Sequence, residues 1–406
     1  MSATTDNKGK IRFIFITLLL DAIGLGLLIP VLPDVLRRFS SDPTFVSEHY
    51  GYFIGAYALM QFIASPVLGS ISDRYGRRPI LLVSLLAAGV DYLFMAFAPT
   101  LPLLYLGRII SGLTGASMTV ASSYLADVSD DSNRSANFGM MGAAFGVGFI
   151  AGPMIGGAVS GLGHAAPFLV AAFLNLCNFA FGLFVLPESL DDAHRRKIQL
   201  KNLNPITSIV KVLKPGPIAL MVWIYFFLFL AGQVHPVNWT LYTQGKFGWS
   251  TFQVGMSLSF VGIVMAIGNV VLTGKLIPKL GEPRSLTFGI CIYALGFLLF
   301  GIASQGWMMY AVLVLFAFSC VAVPALQSMM SKHVPKDRQG EFQGSLVSLG
   351  SLACVIAPLF FTALYTHYTA PGIPHPFPGA AYVGASVICL GNLGLWLYHG
   401  PKNESA

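Results

Sequence analysis

Three charged side chains interrupt apolar stretches that are long enough to cross a bilayer: Asp21, Asp91 and Arg108. A charge in hydrocarbon costs at least about 2.5 kcal/mol on insertion scales, so each must face protein or a wet cavity. At a rise of about 1.5 Å per residue, Asp21 lies about 15 Å from one end of its run, near mid-depth. Asp91 and Arg108 lie on the order of 10 Å from the opposite surface, on runs adjacent in sequence. A carboxylate whose contact with water and distance from an arginine change between two states takes up and releases a proton. That proton exchange is the chemistry these residues offer. Two readings stand for Asp91: the proton cycle, or a permanent ion pair with Arg108 that ties two helices together. Asp21 has no evident fixed partner, and the proton-carrying role falls first on it.

Polar side chains also break the apolar runs at Gln61, Asn175, Asn178, Gln233, His235, Asn238, Asn269, Gln327 and Asn392. Such groups line a cavity for a small-molecule substrate or bond neighbouring helices, and both uses are expected among them. Trp239, with Tyr225 and Phe226, offers an aromatic wall. His235, just before Pro236, is either a packing histidine or a second proton site. The five cysteines lie far apart within apolar segments, without the spacing of a metal site or a disulfide framework. The nearest approach to a phosphate loop, residues 268–276, has one residue too many between its glycines and no Ser or Thr after Lys275. Neither a cofactor nor an enzymatic activity is therefore expected.

The elements that must position these residues follow from composition. Of 406 residues, 10% are charged and 55% hydrophobic, with a mean hydropathy of +0.71, which is the composition of an all-α membrane protein. About 20 apolar residues cross a bilayer as helix, which gives twelve spans. They are 11–32, 50–70, 79–98, 102–126, 136–162, 165–187, 217–242, 250–274, 283–303, 307–330, 340–368 and 379–399. With both termini in the cytoplasm, 20 of the 24 basic residues fall inside, Arg37, Arg38 and Lys246 fall outside, and Arg108 stays in the membrane. This bias sets the orientation and accounts for the net charge of +7 without a nucleic-acid partner. Lys8, Lys10 and Arg12 precede a run too long for a signal-peptide core, so the first span is expected to stay attached.

The chain also reads as a duplication. Residues 69–76 (GSISDRYG) match 274–281 (GKLIPKLG) at an offset of 205, and Arg134, Phe138 and Gly146 recur as Arg338, Phe342 and Gly350 at 204. Two matches at nearly one offset predict a parallel repeat: six-helix bundles over 1–187 and 217–406, joined by a cytoplasmic linker over 188–216. In the fifth span Gly148, Gly152 and Gly156 form a stripe without side chains, and Pro153 removes a backbone donor. A close, deformable helix contact results, either an interface about which the halves rock or an ordinary tight packing.

Four segments carry a family resemblance: GSISDRYGRRP (69–79), LLLDAIGLGLLIPVLP (18–33), LGRIISGLTGAS (106–117) and GAAFGVGFIAGPMIGG (142–157). Along its whole length the chain resembles the major facilitator superfamily, and within it the tetracycline/proton antiporter branch. The resemblance implies that Gly69, Asp73, Arg74, Gly76, Arg77 and Arg78 form a cytoplasmic gate. It links Arg108 to proton transfer and makes Gly148, Gly152, Pro153 and Gly156 the mark of an antiporter. Gln61, Gln233 and Gln327 match the same branch. Implied overall is a monomeric secondary active transporter of a bacterial inner membrane. It would export a small amphipathic molecule, a drug or tetracycline-like compound, by alternating access in exchange for protons. A proton-coupled importer of a nutrient or siderophore is the alternative on the same fold. The resemblance breaks where Tyr293 stands at an acidic position of the ninth span and Met265 at a histidine position of the eighth.

Overall fold

The computed structural model describes residues 3–115, 117–129, 134–191, 195, 204, 206, 218–335 and 339–399, with backbone alone for 3–8, 134–136, 340 and 341. Most of the expected linker and the side chains of Arg134 and Arg338 lie outside the described residues. Among those described, twelve helices are long and apolar enough to cross a membrane. They are α1 (Gly9–Arg37), α2 (Pro43–Tyr75), α3 (Arg77–Phe97), α4 (Leu101–Asp127), α5 (Asn137–Leu162), α6 (Ala166–Val185), α7 (Ala219–Phe247), α8 (Thr251–Leu280), α9 (Glu282–Ile302), α10 (Gly306–Lys332), α11 (Phe342–Thr369) and α12 (Ala380–His399). All twelve predicted spans have a counterpart. The helices α1 and α2 run past their apolar cores, because hydropathy marks the lipid-embedded length while the helix itself continues into the polar boundary.

Several spans are interrupted, and two of the interruptions have a proline at the right distance. Proline lacks the N–H that would reach the carbonyl four residues earlier. Pro236 leaves the carbonyl of Gly232 without its helical donor, and α7 breaks between Gly232 and Gln233. Pro324 does the same to Cys320, which lies in the 3₁₀ segment Ala317–Val321 of α10. The helix α4 breaks at Gly115, between Leu101–Thr114 and Ser117–Asp127.

The chain groups into two compact units that are discontinuous in sequence. One comprises Met1–Ser41, Ala56–Pro205 and Ser250–Gly262; the other comprises Asp42–Gly55, Ile206–Trp249 and Ile263–Ala406. In the first, α5 is gripped on two sides by backbone. A Cβ on Gly152 would meet the Ile23 carbonyl oxygen at 2.6 Å and the Gly26 Cα at 2.9 Å, and one on Gly156 would meet the Leu27 oxygen at 2.8 Å. On its other side Gly255 of α8 abuts Pro153, and the Ser259 hydroxyl donates to the Ile150 carbonyl at 2.6 Å. The stripe read in the fifth span thus seats α1, the helix that carries Asp21.

The second unit is held by a buried aromatic core and by hydroxyls that donate across helices. Trp239, Tyr242, Phe297, Phe300, Phe316 and Tyr382 are all buried, and the Tyr242 hydroxyl donates to the Phe300 carbonyl at 2.6 Å. Tyr365 donates to Leu241 at 3.0 Å and Ser386 to Ala294 at 2.7 Å. In hydrocarbon these three bonds have no competing water and so hold their helices together.

Gly152→Val places side-chain atoms against the backbone of α1, where nothing flexible can yield. The substitution is expected to destabilise the purified protein by about 1–3 kcal/mol. Gly139→Ala, which meets nothing within 4 Å, is expected to be neutral or slightly stabilising in the same thermal-denaturation assay.

Candidate functional site

The two helices that hold Asp91 and Arg108 run antiparallel, and the residues meet. Arg108 Nη1 donates to Asp91 Oδ2 at 2.9 Å, with side-chain exposures of only 4% and 1%. Gly107 makes the approach possible, because a Cβ there would stand 3.1 Å from Asp91 Oδ1 and 2.9 Å from the Phe94 Cβ. On the other side the guanidinium lies 4.2 Å from the centre of the Tyr57 ring, so the ring face supplies further negative potential. Removing one partner of such a buried pair leaves a charge that neither water nor protein solvates.

Asp21 reaches the same place from α1. A cavity of about 60 Å³ is lined by Asp21, Tyr57, Gln61, Tyr92, Arg108 and Ser117, among others. A water occupies about 30 Å³ of liquid and a drug-sized ligand needs about 300 Å³ or more, so the cavity admits a few waters and no drug. The Ser117 hydroxyl hydrogen-bonds the Asp21 carboxylate. The arrangement is a carboxylate and an arginine on one wet pocket, with a second carboxylate bonded to the arginine, and it can pass a proton through a short chain of water.

The break in α4 shapes this pocket. At Gly115 the helix loses its regular bonds, and two side chains replace them: Gln61 Nε2 donates to the Gly115 carbonyl at 3.0 Å, and the Ser84 hydroxyl to Thr114 at 2.6 Å. Gln61, expected from sequence to meet substrate, therefore holds a broken helix while lining the cavity. Ser117, the residue that bonds Asp21, begins the helix on the far side of the break.

The predicted gate residues form a second cluster in the same unit. Arg77 pairs with Asp73 and, through Nε, with Asp127 at 3.2 Å, while its Nη1 donates to the Ser72 hydroxyl at 2.7 Å. Glu188 accepts the backbone N–H groups of Arg77 and Arg78 at 2.8 and 3.1 Å, and Ser189 donates to Asp127 at 2.9 Å. Gly76 turns the chain at a φ of 105°, where a side chain would be strained, and a Cβ there would strike the Glu188 carboxylate. The Arg78 guanidinium donates to the Leu183 carbonyl at 2.7 Å, the Arg74 guanidinium stacks on Tyr75, and a Cβ on Gly69 would come to 3.7 Å from the Thr119 methyl.

The remaining predicted residues mostly bond helices. Asn178 and Thr17 share a hydrogen bond between α6 and α1, Asn175 donates to Ala171 one turn earlier, and Asn269 donates to Met265 within α8. In the second unit Asn238 donates to the Phe361 carbonyl at 3.1 Å, Asn392 to that of Ile224 at 3.4 Å, and Gln327 bonds the Tyr225 hydroxyl. Gln233 stands at the break of α7. His235 is enclosed by the rings of Trp239, Phe297, Phe300, Phe316 and Tyr382, all with centroids within 5.6 Å. Tyr293 packs on Phe297 and Phe316, and Met265 lies against Cys320.

Sequence reading missed Tyr57, Tyr92, Ser84 and Ser117 at the cavity, and Ser72, Asp127, Glu188 and Ser189 at the gate. Helical spacing gave a usable signal for some of them: Tyr57 precedes Gln61 by four residues and so shares its face. Glu188, a carboxylate just past α6, carried no such signal, because the Arg77 and Arg78 N–H groups it accepts are more than 100 residues away.

Twelve apolar helices with a buried ion pair and a mid-span carboxylate define a polytopic integral membrane protein. The sequence model of the Major Facilitator Superfamily matches residues 14–358 and 241–405, and the chain belongs to that family. It is 42% identical over 349 residues to the class C tetracycline resistance protein of Escherichia coli, covering 86% of this chain and 88% of the relative. It is 28% identical over 407 residues to multidrug resistance protein 2 of Bacillus subtilis, covering 98% of each. Among solved structures it superposes on the nucleoside transporter NupG with a TM-score of 0.77 at 14% identity, covering 96% of this chain and all of that one. The human organic anion transporter MFSD10 superposes with a TM-score of 0.68 at 24% identity, covering 96% and 99%. At those identities the likeness is one of fold.

Gln61→Leu removes the donor to a carbonyl at the α4 break. It is expected to lower the stability of the ligand-free protein by about 1–3 kcal/mol, measured by thermal denaturation. A residue that only touched ligand would leave that midpoint unchanged.

Proposed function

We propose that the protein is a proton-coupled antiporter that exports a small amphipathic molecule by alternating access. The observation that carries this reading is the meeting of Asp21 and Arg108 on one water-sized cavity within the membrane. A proton on Asp21 neutralises it toward the arginine, and loss of the proton restores the attraction. The two protonation states therefore favour different arrangements of α1 and α4, and a transporter needs that dependence to couple proton entry to a change of opening. The Asp91 carboxylate, bonded to Arg108, keeps the guanidinium in place while Asp21 exchanges its proton.

Export is favoured over import by the relatives, which are named for resistance to tetracycline and to multiple drugs. A drug or tetracycline-like compound is the substrate class. The acidic residues of the second unit whose side chains are described, Asp42, Glu48 and Glu282, stand near helix ends, and Tyr293 and Met265 lie in apolar packing. An uncharged aromatic chemistry on that side suits amphipathic drugs in general. In this reading both termini lie in the cytoplasm, which the bias of basic residues supports, and the chain works as a monomer in a bacterial inner membrane. Two six-helix halves joined by residues 188–216 would provide the alternating parts.

In proteoliposomes with an imposed pH gradient, Asp21→Asn is expected to abolish uphill accumulation of a tetracycline or a cationic drug. Energy-independent exchange of labelled drug should remain measurable. Uphill transport at the native rate in this variant would remove Asp21 from the coupling role.

A further inference from the structure

The ion pair between Glu282 and Lys332 belongs to none of the motifs or roles described so far. Glu282 is the first residue of α9 and Lys332 the last of α10. The Lys332 ammonium donates to both Glu282 oxygens, each at 2.7 Å, and the Ser328 hydroxyl donates to Glu282 Oε1 at 2.6 Å. Moved back by 205 residues, the offset that relates 274–281 to 69–76, Glu282 falls on Arg77 and Lys332 on Asp127, the pair at 3.2 Å in the first unit. Both Arg77 and Glu282 follow a glycine of positive φ, Gly76 at 105° and Gly281 at 77°. The duplicated chain thus keeps an ion pair at the same two helix ends with its charges exchanged.

The exchange has electrostatic consequences. A helix N-terminus carries about half a positive charge and a C-terminus about half a negative one. Glu282 at the start of α9 and Lys332 at the end of α10 each complement the helix they sit on. Arg77 at the start of α3 and Asp127 at the end of α4 each oppose theirs. The first pair is met by extra negative charge at the start of α3 from two carboxylates: Asp73, which pairs with the Arg77 guanidinium, and Glu188, which accepts the N–H groups of Arg77 and Arg78. At the start of α9 the first residue is itself the carboxylate.

We propose that Glu282 and Lys332 are positioning residues that form a second latch, holding the ends of α9 and α10 together through the transport cycle. Among the described residues this latch engages no carboxylate besides Glu282, whereas the Arg77 latch engages Asp73 and Glu188 as well as Asp127. The two turns are separated by six membrane crossings and so open on one face of the membrane. The proposal rests on the transport reading. If that reading fails, the unsubstituted protein shows no drug flux, an outcome separate from those below. Because the pair is at the surface, with Lys332 64% exposed, it contributes little to global stability and its effect should appear in the rate of state exchange.

The test is drug flux in proteoliposomes, with thermal denaturation as a check of folding. E282K/K332E keeps a pair but sets both charges against their helices. It should lower the maximal rate several-fold with KM and melting midpoint unchanged. E188Q should slow the native protein several-fold, yet raise the rate of R77E/D127K, where Glu188 would repel the new carboxylate. Such a reversal of sign is not expected of a packing residue. A native rate in E282K/K332E, or an E188Q effect of the same sign in both backgrounds, overturns the proposal. Where R77E/D127K does not fold, E282K/K332E decides alone.

Discussion

Hydrocarbon neither solvates a charge nor bonds a carbonyl, and the arrangement around Arg108 follows from that. The guanidinium is neutralised by Asp91 at 2.9 Å and covered on one side by the Tyr57 ring. For the pair to close, α3 and α4 must approach, which only a glycine at position 107 allows. Tyr57 must stand on α2 at the height of the pair, which also brings Gln61, one turn on, to the broken backbone of α4. The break in turn turns Ser117 toward Asp21. Each of these features is a response to one buried cation, and together they leave a small wet space that a second carboxylate reaches.

The same absence of water governs how the helices touch. With no hydrophobic drive between helices in lipid, contact depends on close backbone approach and on bonds between side chain and carbonyl. The helix α5 shows both, with glycines against α1 and a serine bond from α8. The helix that carries Asp21 is thereby packed backbone to backbone against α5. The second unit reaches comparable rigidity through stacked aromatic rings, and His235 is enclosed among them.

At the helix ends water returns and charges become inexpensive, so the chain can vary them. The Arg77–Asp127 and Glu282–Lys332 pairs lie 205 residues apart in sequence with opposite signs. Both turns carry a glycine of positive φ, Gly76 and Gly281, while their charges differ in sign. A glycine at positive φ is difficult to replace, whereas a pair such as Glu282–Lys332, with its lysine 64% exposed, tolerates a change of charge at little cost in stability.

By itself the sequence determined the class, the twelve spans and the three intramembrane charges, because a span is a local property of about 20 residues and a charge within it is visible without any partner. The glycine stripe of α5 was legible for the same reason, its period lying within one helix. The function of most polar residues was not. Gln61, Asn178 and Asn238 each look like cavity residues in one dimension, and only tertiary structure showed Gln61 bound to Gly115, Asn178 to Thr17 and Asn238 to Phe361. Glu188 and Asp127 were overlooked because their partner, Arg77, is brought to them by folding across 111 and 50 residues. Hydropathy is summed along a chain, while a hydrogen bond depends on a distance in space, so the sequence reveals which groups need partners and the fold alone decides which partners they get.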